Sequence, residues 1–202
     1  MNQANRVSIL VTLALVTAAS AQTPTPAPAA APPRPAGSIA SRPGWPVAKT
    51  EDVKSPEAIV AAVYSVISGG KGQQRDWDRM RSLFVPDARL IPAITGKDGH
   101  NDALMLSVDG YIERSGARLT SDGFFERSIN NEMQQFGNIV QIWSTYESRH
   151  DPADEKPFAR GINSFQLLKD GDRYWVVNIF WDSENPNKPI PAKYLPLKSQ
   201  AR

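Results

Sequence analysis

Apolar residues recur at helical spacing in the first half of the chain and at every second position in much of the second half. The segment SPEAIVAAVYSVISGG, residues 55–70, carries apolar residues three and four positions apart, which is typical of a helix with one buried side. Ser55 and Pro56 indicate its beginning, and Gly69-Gly70 indicate its end. The pattern therefore predicts an amphipathic helix near the start of the folded region.

A second helix is predicted in RDWDRMRSLF, where Trp77, Met80 and Phe84 are spaced at i, i+3 and i+7 and Pro86 ends the pattern. The segment ARLIPAI then reads as a strand, and DALMLSV is its expected neighbour after a polar loop. Asp109 is expected to cap a third, short helix.

Four long strands are predicted after this helix, because apolar and polar residues alternate there with a period of two. Gly137-Asn138 is expected to form a hairpin turn, and so is Asp170-Gly171. The predicted strands are residues 124–136, 139–149, 158–169 and 174–181. Helices at one end of the chain and strands at the other indicate an α+β fold, with helices on one face of an antiparallel sheet.

The N-terminus reads as a secretory signal peptide. Arg6 precedes an apolar run over residues 7–16, and Ala19 and Ala21 form a small-residue cleavage site. The run is shorter than the roughly 20 apolar residues of a membrane span. We therefore expect cleavage after Ala21, export to the periplasm or the medium, and no membrane association afterwards.

Composition divides the rest of the chain. Residues 22–52 are rich in Pro and Ala, which predicts a flexible, extended linker. Residues 53–197 are expected to form one domain, because a chain of about 150 residues can bury enough surface for a single core. Residues 198–202 are left as a tail.

Charge and cysteine content exclude several classes of function. The chain has no Cys, so a lipoprotein anchor, disulfides, a Cys nucleophile and Cys-ligated zinc are excluded. It has 23 basic and 21 acidic residues without a basic cluster, so nucleic acid is not an expected partner. Signatures of hydrolases, metalloproteases and phosphate-binding loops are missing from the sequence, and neither a metal nor a cofactor is expected.

Four sequence segments resemble those of the nuclear-transport-factor-2-like superfamily: PEAIVAAVYSVI, LFVPDARLIP, GINSFQLLKDGDRYWVV and IFW. That superfamily includes SnoaL-like cyclases and ketosteroid isomerase. The resemblance covers nearly all of residues 53–181, and implies a cone-shaped sheet curled around the N-terminal helices, with a pocket at one end. It implies little about activity, because one fold hosts enzymes, binders and assembly modules.

The resemblance to ketosteroid isomerase implies specific positions. That enzyme uses an Asp base with a Tyr and a protonated Asp as hydrogen-bond donors. The base position falls near Ile91 or Pro92, neither of which accepts a proton, and Asp87 lies four or five residues away. The protonated-acid position falls at Asn163, which can still donate, and Tyr64 lies about half a turn from the Tyr position. Steroid isomerisation is therefore not expected.

Alternation assigns two faces to residues 139–149. One face carries Trp143 and Glu147, and the hairpin turn places Trp143 opposite Glu132 and Glu147 opposite Ser128. The other face carries an apolar set that includes Ile142. Either the mixed face lines the pocket and the apolar face forms a dimer contact, or the apolar face packs on the helices. The first arrangement is favoured by analogy with the isomerase.

Under that arrangement the pocket has an aromatic wall and a pair of carboxylates. Glu132 and Glu147 are the candidate catalytic residues, since two acids in a dry cavity push one pKa upward. The alternative is that either acid forms a sheet ion pair with Arg149 or Arg160. The candidate ligand-binding residues are Tyr64, Trp143, Glu147, Asn163 and Trp181.

Three functions remain open from the sequence. The leading hypothesis is an exported, homodimeric protein that binds a small apolar or aromatic ligand with a polar group. The second is a cofactor-independent SnoaL-like cyclase, isomerase or dehydratase that uses a pocket carboxylate. The third is an assembly module without a ligand.

Overall fold

A computed structural model describes residues 37–196 of the 202-residue chain. The predicted signal peptide (1–21), the first part of the predicted linker (22–36) and the predicted tail (198–202) lie outside the described residues. Within residues 37–196, none of the helices combines the length and apolar character needed to cross a membrane.

Four α-helices precede or interrupt the strands, and most of their boundaries follow local capping rules. They are α1 (Thr50–Val53), α2 (Pro56–Ile67), α3 (Trp77–Leu83) and α4 (Val108–Asp122). The Ser55 hydroxyl accepts a hydrogen bond from the Ala58 amide at 3.1 Å, which caps α2 as predicted. The cap of α4 is Ser107 and not Asp109, because the Ser107 hydroxyl accepts from the Gly110 amide. Asp109 instead pairs with Arg81 at 2.8 Å.

Six strands form one curved sheet in the order β2-β1-β6-β5-β4-β3. They are β1 (Phe84–Thr95), β2 (Asn101–Ala103), β3 (Phe125–Phe136), β4 (Ile139–Arg149), β5 (Ala159–Asp170) and β6 (Arg173–Ser183). The four long strands lie within two residues of their predicted bounds, and the α+β class is confirmed. The sheet is mixed and not wholly antiparallel, because β1 lies parallel to the last strand, β6.

The hairpin between β3 and β4 has the predicted register only in its outer half. Trp143 lies opposite Glu132, as expected from the turn. A bulge between Ser128 and Asn130 inserts one unpaired residue, so that Glu147 lies opposite Arg127 and not opposite Ser128. Beyond the bulge, every side chain of β3 changes face.

The two faces of β4 are the reverse of the favoured prediction. Ile142, Ser144 and Tyr146 are buried toward the helices, and the Ser144 hydroxyl lies 2.7 Å from the Tyr64 hydroxyl of α2. The mixed face with Trp143 therefore points away from α2. Ile142 and Tyr146, which were assigned to a dimer contact, belong to the core, so that contact surface is wrong. The homodimer itself stays a prediction.

The outer face of β4 is covered by the C-terminal segment (residues 191–196). The Thr145 hydroxyl donates to the Tyr194 carbonyl oxygen at 2.7 Å, and the Trp143 and Tyr194 rings lie 5.8 Å apart between centroids. This contact explains why Thr145 is fully buried on a face that does not meet the helices.

The packed chain begins before the predicted domain boundary at residue 53. Ile39, Trp45 and Ala48 pack against the core, and the Trp45 indole N–H donates to the carbonyl oxygens of Arg81 and Phe84 at 3.0 Å each. Residues 37–52 are thus not a flexible linker. The Pro-rich composition of this segment predicted a linker, but burial of the large Trp45 ring offsets the conformational entropy lost when the segment is ordered.

We expect Trp45→Phe to lower the free energy of unfolding by about 1 kcal/mol, because two partly buried carbonyl oxygens lose a donor while most of the ring contact stays. Urea unfolding followed by circular dichroism measures this change. Val47→Ala is the matched control, since Val47 is 91% exposed. Equal stabilities for the two variants would contradict the packing of this segment.

Candidate functional site

A cavity of about 580 Å³ lies between α2, α4 and the inner face of the sheet. Its size falls within the range of roughly 300–1,000 Å³ that is usual for small-molecule sites. Apolar side chains from several elements line it, among them Val63, Leu90, Phe165 and Ile179. One group of polar side chains, here called the polar end, lies where α2 meets β3, β4 and β5, and a second group lies on α4.

Tyr64 is the centre of this polar end. Its phenol is 4% exposed, lies 2.7 Å from the Ser144 hydroxyl and accepts from the Asn163 amide nitrogen at 3.1 Å. Its ring packs edge-on against Phe165, with 6.0 Å between centroids. Burial raises the pKa of the Tyr64 phenol above its ordinary value, so the group stays protonated and serves as a neutral hydrogen-bonding group.

Glu126 is the acid at this polar end of the cavity. Its Oε2 accepts from the Ser148 hydroxyl at 2.7 Å, and its Oε1 lies 3.5 Å from the Asn163 amide nitrogen. Burial raises the pKa of Glu126 to about 7, although the hydrogen bonds from Ser148 and Asn163 act in the opposite direction. Near neutral pH the side chain is therefore present in both protonation states, which suits a general acid or base.

An aromatic wall faces this acid. The Tyr111 and Trp181 rings meet edge-on at 6.4 Å, and both line the cavity. Tyr146 also lines it, and its hydroxyl lies 3.1 Å from the Ser183 hydroxyl. A Cβ atom on Gly161 would lie 2.5 Å from the Tyr146 hydroxyl, so the position requires glycine for this close approach.

The structure brings together three of the predicted site residues. Tyr64, Asn163 and Trp181 all line the cavity. Trp143 lies on the outer face of β4 against Tyr194, and Glu132 is exposed opposite it. The predicted placement of these last two residues in the pocket is therefore wrong, because the inner face of β4 is the other one.

Glu147 is also outside the cavity, in an ion-pair cluster. Its Oε1 accepts from Arg127 Nε at 2.7 Å and from Arg149. Burial acts to raise the pKa of Glu147, but the hydrogen bonds from Arg149 and Arg127 outweigh it and lower the pKa. The side chain is thus a carboxylate in a sheet ion pair, which was the alternative reading of this residue.

Sequence reasoning missed Glu126 because of the bulge in β3. Uninterrupted alternation from the hairpin turn places Glu126 on the outer face, and the extra residue at 129 moves it to the inner face opposite Ser148. A hint was present, since SINN combines a β-branched residue with turn-forming polar residues in the middle of a long strand.

Among the described residues, no cluster of three or more His, Cys, Asp or Glu side chains could hold a metal ion. The cavity instead offers hydrogen-bonding groups and an acid, Glu126, whose pKa is raised to about 7. Such a set can orient a ligand and transfer a proton.

No family model and no curated protein matches the chain. Solved structures do match it. A protein of unknown function with a cystatin-like fold from Nostoc punctiforme is 11% identical, with 64% of this chain and 89% of that chain covered and a TM-score of 0.49. A nuclear-transport-factor-2-like protein from Silicibacter pomeroyi is 16% identical, with 63% and 92% covered and a TM-score of 0.43.

A nuclear-transport-factor-2-like protein from Shewanella baltica is also 16% identical, with 62% of this chain and 91% of that chain covered and a TM-score of 0.41. At these identities the likeness concerns the fold alone.

We expect the stability of the protein to fall as pH rises from about 4.5 to 7. The folded state holds the Glu126 proton up to a pKa of about 7, whereas the ordinary value is 4.5, so the unfolded state loses its proton first. Glu126→Gln cannot ionise. Its unfolding free energy relative to the parent protein should therefore rise by at most about 3 kcal/mol between pH 4.5 and pH 8.

Denaturant unfolding at several pH values measures this difference. The matched control is Glu132→Gln, which removes an exposed carboxylate on the same strand. A parallel pH dependence for Glu126→Gln and the parent protein would show that Glu126 titrates at its ordinary value.

Proposed function

We propose that this chain binds a small ligand with an apolar or aromatic body and one polar group, in the cavity between α2, α4 and the sheet. The observation that carries the proposal is the combination of a 580 Å³ cavity with an aromatic wall and convergent polar groups at one end. Sites for small molecules have this composition. A cavity of this size between the side chains favours a ligand-binding role over a ligand-free assembly module.

The polar end offers a defined partner for the ligand. Glu126 Oε1 has only the long 3.5 Å contact with Asn163, so it can accept a shorter hydrogen bond from a ligand hydroxyl or amide. The Tyr64 and Asn163 side chains lie beside it and add hydrogen-bonding groups. A hydroxyl or carbonyl group on the ligand fits this end, and the ring system fits the Tyr111 and Trp181 wall.

A second candidate function is acid–base catalysis without a cofactor, in the manner of a cyclase, isomerase or dehydratase. The observation that favours it is the raised pKa of Glu126, at about 7. Such a group can take a proton from one position of a bound ligand and return it at another. Glu126 takes the role that the sequence assigned to Glu132 or Glu147.

Export and dimerisation belong to the proposal on sequence grounds. Export rests on the pattern of the first 21 residues, which reads as a cleavable signal peptide. The homodimer was predicted through the apolar face of residues 139–149, and dimerisation through another surface stays part of the proposal.

We expect native mass spectrometry of protein purified from its own host to detect a bound small molecule. Asn163→Leu should lose that mass, because it removes the amide that links Tyr64 to Glu126. Trp143→Phe should retain it, since Trp143 lies on the outer face. Retention of the same mass by Asn163→Leu would place the ligand elsewhere.

The catalytic candidate predicts hydrogen exchange. When the retained molecule is incubated with the protein in D₂O, we expect its mass to increase by deuterium at carbon, and Glu126→Gln should abolish the increase. Glu132→Gln serves as the control. If the parent protein binds the molecule but no deuterium enters it, the binding function stands and proton transfer at carbon is contradicted.

A further inference from the structure

One side of α4 runs along the mouth of the cavity. Cavity-lining residues on this helix are spaced three and four positions apart: Tyr111, Arg114, Ser115, Arg118, Leu119 and Asp122. The spacing places them on one stripe of the helix. Tyr111 and Leu119 are partly or fully buried, whereas Arg114 and Arg118 are exposed. The stripe thus changes from apolar inside the cavity to cationic at its rim.

The charges at this rim do not cancel. Arg118 lies 3.4 Å from Asp122, in an exposed pair that holds its partners weakly. Arg114 forms no ion pair with any residue of the described part of the chain. Two guanidinium groups and one carboxylate therefore leave a net positive charge, and guanidinium groups are well suited to bind carboxylate, sulfonate or phosphate oxygens.

The rim also carries an aromatic surface. The His150 ring stacks on Phe158, with 4.2 Å between centroids and 14° between planes, and Phe158 is 51% exposed. His150 Nδ1 lies 3.1 Å from the Gly123 carbonyl oxygen, which holds the stack in place at the end of α4. This stack and the two arginines line the same cavity.

The helix that carries the arginines is fixed to the wall of the cavity. Arg75, which is 7% exposed, donates from Nη2 to the carbonyl oxygens of Gly69 and Leu119 at 2.7 and 2.8 Å, and from Nε to that of Ile67 at 2.9 Å. These bonds connect the end of α2 to the last turns of α4. The position of the cationic stripe over the mouth is therefore set by the fold.

We infer that the ligand is an aromatic anion, whose ring system lies in the cavity and whose carboxylate, sulfonate or phosphate group lies at the mouth between Arg114 and Arg118. The inference rests on the proposed binding function. The Glu126 carboxyl lines the same cavity and would repel a second anionic group, so the part of the ligand that contacts it is an uncharged polar group.

Two fluorescent probes with the same ring system test the inference. Both 8-anilinonaphthalene-1-sulfonate and N-phenyl-1-naphthylamine carry a phenylamino group on naphthalene, but only the first carries a sulfonate. Each is titrated into the full chain and into the double variant Arg114→Gln/Arg118→Gln. Arg89→Gln is the matched control, because Arg89 is an exposed arginine that does not line the cavity.

The double variant should raise the dissociation constant of the sulfonate probe by about tenfold. This is the loss of affinity expected when charge-assisted contacts at an exposed rim are removed. The neutral probe should change by less than twofold, and Arg89→Gln should affect neither probe. Equal changes for both probes, or no change for the sulfonate, overturn the anion inference while the binding function stands. Failure of both probes to bind the parent protein at a single site overturns the binding function as well.

Discussion

The contact between α2 and the inner face of the sheet decides which side chains can meet a ligand. Tyr64 reaches across from the helix to Ser144 on β4 and to Asn163 on β5, with its phenol almost fully buried. A buried phenol without these partners would be costly, so the helix and the two strands are held in one relative position. Tyr64 and Asn163 line the cavity together because of this contact.

The bulge in β3 is the second constraint. Side chains alternate strictly along a strand, so one unpaired residue exchanges the two faces beyond it. Glu126 thereby enters the cavity opposite Ser148, while Arg127 turns outward to Glu147. A single inserted residue thus supplies both the acid at the polar end of the cavity and the ion pair on the outer face.

Glu126 and Glu147 have the same side chain, but their surroundings shift its pKa in opposite directions. Glu147 is surrounded by guanidinium groups, which lower its pKa and keep it a carboxylate that joins β3 to β4. Glu126 has only neutral hydrogen-bond donors beside it, so desolvation prevails and its pKa rises. The first therefore stabilises the sheet, and the second is suited to bind or to exchange a proton with a ligand.

The sequence by itself determined the α+β class, the bounds of the long strands within two residues and two polar residues of the cavity, Tyr64 and Asn163. These follow from periodicity, capping and motif resemblance, which are local. The tertiary structure alone decided which face of β4 is inner and where β3 changes face, and also that Trp45 belongs to the core. Each of these depends on contacts between residues far apart in the chain, for which alternation along one strand carries no information.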